Sequence, residues 1–362
     1  MPSLTVTTRR SSARPAEQLL DDVDLDLVAA LQIAPRTPVN ALADVLDTSP
    51  STVARRLSRL REERLLRVVG RLDWSLITTE NPRQLWISCE PGRSEEVARR
   101  ILELTEVQTL LLTTGSADIY CSVYPLHGTD IFDLLTRRLP GIPGIVSAES
   151  QLVLRAYAMG QSWRVHRLSD EQTERLREHA VQITRERFTS PGQLSELERR
   201  TLELMAANGR IPAADIAREL DISRSTAYRT AQSLLESGAL RPRVDIEPAV
   251  LGFPLNALLS LTVLPQAIPS LLDTLGSHPS ARYVSMVAGS SSVIHYGVFR
   301  DEEDLARFIT TDLGAFPGIT TVNTCVGVRV LRRHWRARDG VRLGDRVDGF
   351  LSRAANGDRT IG

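Results

Sequence analysis

The chain has 362 residues, 42% of them hydrophobic, and its 44 basic and 44 acidic side chains cancel. That length accommodates about two to four ordinary domains, and no apolar run reaches the ~20 residues that a bilayer-crossing helix needs. Cys89, Cys121 and Cys325 are widely separated and outside any CxxC pattern, and no histidine falls at metal-ligand spacing. The cysteines suit a reducing cytoplasm better than a disulfide framework or a zinc site.

Residues 1–18 lack the apolar core of a signal peptide and read as a disordered tail. From residue 19 onward the chain is written twice. "ALADVLDTSPSTVARRLSRL" (Ala41 to Leu60) recurs as "DIARELDISRSTAYRTAQSL" (Asp215 to Leu234), an offset of 174 that holds without a gap. The same offset pairs Gly115 with Gly289 and the Pro-Gly-Ile at 143–145 with that at 317–319, so the repeat is long.

Each copy opens with helices. "LLDDVDLDLVAAL" and "LSELERRTLELM" have apolar residues near helical spacing and acids early, where the helix dipole favours them. A short helix and a tight turn at Asp47 or Asp221 follow. Ser49 or Ser223 is placed to cap a third helix, whose buried stripe is Val53, Leu57 and Leu60, or Ala227, Ala231 and Leu234. Next come strands alternating with helices. "QLWISCE" and "LLSLTVL" alternate as half-buried strands, and "TTGSAD" and "VAGSSS" mark glycine turns between two strands. The order is βαββαβ, a ferredoxin-like unit.

The expected fold class is therefore α+β, a tandem duplication. Helix-turn-helix domains are expected over 19–72 and 193–246, and ferredoxin-like regulatory domains over 80–158 and 254–332. A capped connecting helix and linker fill 159–192, with the helix over Ser169 to Phe188, and 333–362 reads as a C-terminal tail. Its "RRHWRAR" run is expected to be solvated, while Trp86, Trp163 and Trp335 are expected in core or interface.

In this order, and duplicated, "LDDVDLDLVAAL", "LADVLDTSPSTVARRLSRLREERLL", the "GSAD" turn and the late "PGI" resemble the Lrp/AsnC transcriptional regulators. The resemblance covers nearly the whole chain, as two fused family copies where one per chain is usual. It implies a sequence-specific regulator with a helix-turn-helix in the major groove. DNA affinity would be modulated by a small-molecule effector, an amino acid or another metabolite, at the interface of paired ferredoxin-like domains. The implied partners are double-stranded DNA and that effector, with an intramolecular pseudo-dimer and room for a higher homo-oligomer. No enzyme activity, catalytic residue, metal or cofactor is implied. The alternative on the same architecture is a siroheme-decarboxylase-like tetrapyrrole enzyme. Such an enzyme would be expected to show histidine just before the first regulatory strand, where "TTENPRQLWIS" and "GFPLNALLSL" have none.

A groove-reading helix needs short polar groups at its start and cations further along. Copy one offers Ser49, Ser51, Thr52, Arg55, Arg56 and Arg59, and copy two offers Ser223, Ser225, Thr226, Tyr228 and Arg229. From Ser51 to Arg71 seven arginines face two glutamates, whereas Ser225 to Asp245 holds three arginines and two acids. Copy one is thus expected to bind DNA more strongly. Copy two either reads bases with weaker backbone support or is kept for packing. For the effector, the resemblance points to Thr114, Gly115, Ser116, Ala117 and Asp118, and to Gly289, Ser290 and Ser291. Asp118 either holds a ligand ammonium or stabilises its own turn, and the second turn has no acid.

Overall fold

The computed structural model describes residues 19–78, 80–158, 163–183 and 193–347. The tail expected over 1–18, the end of the expected connecting helix and everything beyond 347 lie outside the described residues. In copy one, α1 (Asp22–Ile33) begins at Asp21, whose carboxylate accepts from the Asp24 amide while Asp24 returns a bond to the Asp21 amide. α2 (Val39–Val45) leads into a turn at Asp47, which holds φ 49°, and Ser49 caps α3 (Pro50–Glu62). β1 (Leu66–Leu72) follows.

The regulatory unit of copy one is β2 (Arg83–Cys89), α4 (Ser94–Ile101), β3 (Val107–Thr114), β4 (Ile119–Val123), α5 (Ile131–Asp133, continued by a π-helical turn to Arg138) and β5 (Ile145–Ala158). α6 (Asp170–Arg177), capped reciprocally by Ser169 and Gln172, connects the copies. Copy two repeats the plan: α7 (Glu196–Ala207), α8 (Ala213–Leu220), α9 (Arg224–Glu236) and β6 (Leu240–Ile246). Then come β7 (Leu255–Val263), α10 (Ile268–Ser277), β8 (Ala281–Ala288), β9 (Val293–Phe299), α11 (Glu302–Arg307) and β10 (Ile319–Arg333).

The long strands β5 and β10 join the copies. The first half of β5 completes its own sheet beside β2, from Cys89↔Ile145 to Arg83↔Leu152, and its second half pairs with β8 of copy two. β10 does the reverse, pairing first with β7 and then with β3 of copy one. Eight antiparallel strands therefore close on themselves as β3-β4-β2-β5-β8-β9-β7-β10 and back to β3, with β5 and β10 each paired on one side over their first half and on the other side over their second. Leu85, Ile87 and Cys89 face the helices of copy one, and Leu259, Leu261 and Val263 those of copy two. The opposite face puts Trp86, Tyr120, Leu258 and Tyr296 in a core shared by both copies.

The helix-turn-helix units are joined by a second device. β1 and β6 form a two-stranded antiparallel ribbon whose register places Val69 opposite Arg243, residues equivalent under the 174-residue offset. A pseudo-two-fold axis therefore passes through that pair. Arg36 donates to the Gly209 carbonyl, and the equivalent Arg210 donates to the Pro35 carbonyl at 2.7 Å. The cores cross as well: Leu27, Leu42 and Leu60 pack with Val250, Leu251 and Val298 of copy two, while Ile216, Ala231 and Leu234 pack with Leu72, Leu76 and Tyr124 of copy one.

The stretch expected to be a solvated tail from residue 333 is folded up to 347. β11 (Arg336–Asp339) and β12 (Arg342–Arg346) extend the sheet beside the end of β10. His334 and Trp335 form the tight turn with φ 53° and 56°, each at a cost on the order of 1 kcal/mol for a non-glycine residue. Arg333, Arg336 and Arg338 are buried because Asp245 and Glu247, about ninety positions earlier in the chain, neutralise them.

One buried histidine fixes an acid response. The His295 ring is fully buried in β9, stacked on Phe308 at 4.9 Å between centroids, with Nε2 3.0 Å from the Ser280 hydroxyl. Burial pushes its pKa down to about 3, from 6.5. The folded chain keeps the ring neutral while the unfolded chain takes up a proton, so the stability is present above pH 6.5 and is lost as pH falls towards 3. Denaturant titrations between pH 6.5 and 4 should show this group contributing about 1.4 kcal/mol per pH unit, and His295→Gln should flatten the slope by that amount. A slope unchanged by the substitution would refute the assignment.

Candidate functional site

The third helices set their caps identically. Ser49 Oγ accepts from the Thr52 amide at 3.1 Å and contacts the Ser51 and Thr52 hydroxyls at 2.9 and 2.8 Å. Ser223 does the same with Thr226 and Ser225. Val53 and Leu60 are buried on α3, as are Ala227, Ala231 and Leu234 on α9.

The arginines of α3 divide in a way the sequence expectation missed. Arg56 turns inward and donates to Asp21 and Asp24, both at 2.8 Å. Arg59 pairs with the same Asp24 and with Glu63 at 3.3 Å. Hydrogen bonds donated to Asp21 and Asp24 raise the Arg56 pKa. Arg56 and Arg59, expected among the DNA-facing residues, are thus turned towards α1. The face that meets solvent is Ser51, Ala54, Arg55, Ser58 and Arg61, and Arg55 and Arg61 have no ion pair among the described residues. The physical reason is Asp24, which is 1% exposed and requires counter-charge.

Copy two keeps an acid, Glu198, at the position equivalent to Asp24, but it is only half-buried, and the positions equivalent to Asp21, Arg56 and Arg59 are Ser195, Thr230 and Ser233. Its exposed face is Arg224, Ser225, Tyr228 and Arg229, with Tyr228 60% exposed. Arg224, not singled out by the sequence, stands where copy one has Pro50. Among the described residues, Arg55 and Arg61 on α3 and Arg224 and Arg229 on α9 make no ion pair. The charge excess of copy one lies largely in its own packing and in β1, and the exposed faces of the two helices carry two arginines each.

The hairpin turns each pack on the other copy's long strand. Gly115 holds φ 119°, and a Cβ there would lie 2.8 Å from the Thr324 carbonyl; the Ser116 hydroxyl is 3.2 Å from Cys325 Sγ. Ala117 is buried in the shared core. Asp118 accepts from the Cys89 amide at 2.7 Å, so its carboxylate ties the turn to the end of β2. Thr114 pairs with Val326 at the end of the ladder. In copy two a Cβ on Gly289 would lie 2.6 Å from the Gln151 side chain. Ser290 accepts from Gln151 at 2.9 Å and donates to Glu149, and Ser291 donates to Gln151 at 2.5 Å. Both turns lie at the domain interface, with their polar side chains engaged there.

Two helix-turn-helix units, each followed by a ferredoxin-like domain and paired about a pseudo-two-fold axis, define a class of ligand-responsive DNA-binding proteins. Residues 20–61 match the AsnC-type helix-turn-helix domain, 194–241 match a winged helix-turn-helix DNA-binding domain, and both 84–163 and 256–335 match the Lrp/AsnC ligand binding domain. The chain belongs to the Lrp/AsnC family, with its two-domain unit present twice. It is 29% identical over 146 residues to the HTH-type transcriptional regulator AldR of Mycobacterium tuberculosis, covering 39% of this chain and 82% of that one. It is 25% identical over 130 residues to the HTH-type transcriptional regulator LrpA of Pyrococcus horikoshii, covering 36% and 92%. Among solved structures, the siroheme decarboxylase NirDL superposes over 92% of this chain and 99% of its own, with a TM-score of 0.59 and 13% identity, a likeness of fold.

Proposed function

We propose that this chain is a DNA-binding transcriptional regulator that presents two different reading helices, α3 and α9, from one polypeptide. The observation that carries this is the reciprocal tie between the units. The on-axis β1–β6 ribbon and the Arg36 and Arg210 bonds hold the helices as equivalent partners, while their exposed faces differ in sequence. Ser51, Ala54, Arg55 and Ser58 face one half-site and Ser225, Tyr228 and Arg229 the other, with Arg61 and Arg224 placed for phosphates. Relatives of the same family named as transcriptional regulators support the reading. A small-molecule effector acting through the paired ferredoxin-like domains then adjusts DNA affinity.

Selection from random DNA at two salt concentrations tests this. The expected product is a bipartite site with unlike halves, whose affinity falls with salt in proportion to the phosphates contacted. No enrichment at either salt concentration would defeat the reading, and a perfect palindrome would defeat its claim of unlike readers. The fold shared with NirDL supports a second reading, a tetrapyrrole enzyme. Incubation with siroheme, followed by absorbance after gel filtration, separates the two, since a retained tetrapyrrole band would favour the enzyme.

A further inference from the structure

Between the ribbon and the barrel, on the pseudo-two-fold axis, lies a cavity of about 120 Å³. It includes none of the hairpin-turn residues. The ribbon contributes Arg71, Arg243 and Asp245, and the barrel side contributes Arg282, Arg333 and Arg336. Asp245 is already committed to Arg338 at 2.8 Å and Arg336 at 3.6 Å, and Glu247, behind it, to Arg333 at 2.8 Å. Arg243 and Arg282 lie outside these pairs. Arg243 is 9% exposed and Arg282 8% exposed, and neither makes a hydrogen bond or an ion pair among the described residues. Arg243 Nε is buried without a partner, and Arg282 only stacks over Trp163 at 5.0 Å.

Asp245 and Glu247 act on Arg243 and Arg282 only from beyond contact distance, and a cation buried without a contacting counter-charge is costly because its desolvation is incompletely compensated. Burial, with Arg333 adding to it, pushes the Arg282 pKa down to about 10; burial pushes His334 well below its usual value, so that ring adds no charge. The remaining lining is ring and amide: Tyr120, Tyr283, Tyr296, Trp74, Gln84 and Gln108. Engineered cavities of roughly 150 Å³ hold a benzene molecule, so this volume suits a compact molecule and not a large macrocycle.

We propose that the axial cavity binds a compact organic polyanion, carrying two or more carboxylate or phosphate groups, and that this is where the chain senses its effector. Arg243 on the ribbon and Arg282 on the barrel are the two groups such a ligand completes. A molecule that bridges them ties the ribbon, which carries both reading helices, to the regulatory barrel. The sensing role rests on the regulator reading; the binding itself does not.

The test uses the full chain with two probes, citrate for the carboxylate source and 3-phosphoglycerate for the phosphate source, at fixed ionic strength. At least one probe should give a saturable rise in melting temperature that sodium chloride and glycine do not give. Arg243→Gln and Arg282→Gln should each raise the ligand-free melting temperature, since they remove an incompletely compensated buried charge, and should abolish the probe-induced rise. A merely structural arginine would show the opposite first effect. No saturable response to either probe in the unaltered chain, or a response that survives both substitutions, overturns the site. DNA affinity is measured separately: a probe that binds yet leaves DNA affinity unchanged in a chain that binds DNA overturns the sensing role. A chain that binds probe but no DNA defeats the regulator reading and leaves the cavity assignment standing.

Discussion

Glu247→Gln is expected to lower the folding free energy by about 3–5 kcal/mol, the cost typical of breaking a buried ion pair from one side. Glu247 is 4% exposed and accepts from Arg333 at 2.8 Å and from Arg338, whose side chains are 3% and 0% exposed. Glutamine keeps the shape and one acceptor oxygen but removes half of the carboxylate charge that neutralises this region. Arg338 could still lean on Asp245, whereas Arg333 would keep only the oxygens of Asn256 and Tyr296. Burial would raise the Asp245 pKa, but Arg338, Arg243 and Arg336 outweigh it and hold that carboxyl below its usual range, so Asp245 stays charged and cannot serve both arginines. Equilibrium urea unfolding at pH 7 reads the loss directly; a change below about 1 kcal/mol would mean that the network is hydrated and of little weight.

The second large effect is on DNA. Reversing the charge of one exposed arginine on each helix, Arg55→Glu with Arg229→Glu, should weaken binding about a hundredfold or more, because each removes a charged contact and adds repulsion. The single alanine variants of Arg55 and Arg229 should each weaken binding, by similar factors, and each lower the salt slope by about one unit. Arg56→Ala should instead reduce stability with the slope unchanged, since that side chain serves Asp21 and Asp24. If Arg229→Ala were silent while Arg55→Ala abolished protection in footprinting, α9 would be a packing helix only.

Much of this architecture is legible in the sequence because it is local and written twice. Cap residues, apolar spacing and glycine turns locate the elements of both copies. What stays hidden depends on which distant residue answers which. The stripe of α3 shows that Arg56 and Arg59 lie off the core, but not that α1 presents Asp21 and Asp24 to them; the acids at that cap were the available sign. Arg333, Arg336 and Arg338 read as solvated because their carboxylates lie about ninety positions earlier. The exchange of strand ends was visible only as length, since β5 and β10 run 14 and 15 residues where their neighbours run five to nine.

Fusion of the copies has a consequence at the axial cavity. Its walls are built from equivalent positions with different occupants: Arg282 answers Gln108, Tyr283 answers Thr109, Tyr296 answers Ser122, and Asp245 answers Arg71. In a dimer of identical chains both walls would be the same, and any lopsided guest would have two degenerate poses. Every substitution would also strike twice. Here the chamber has a distinct left and right, so one orientation is singled out and either wall can drift alone.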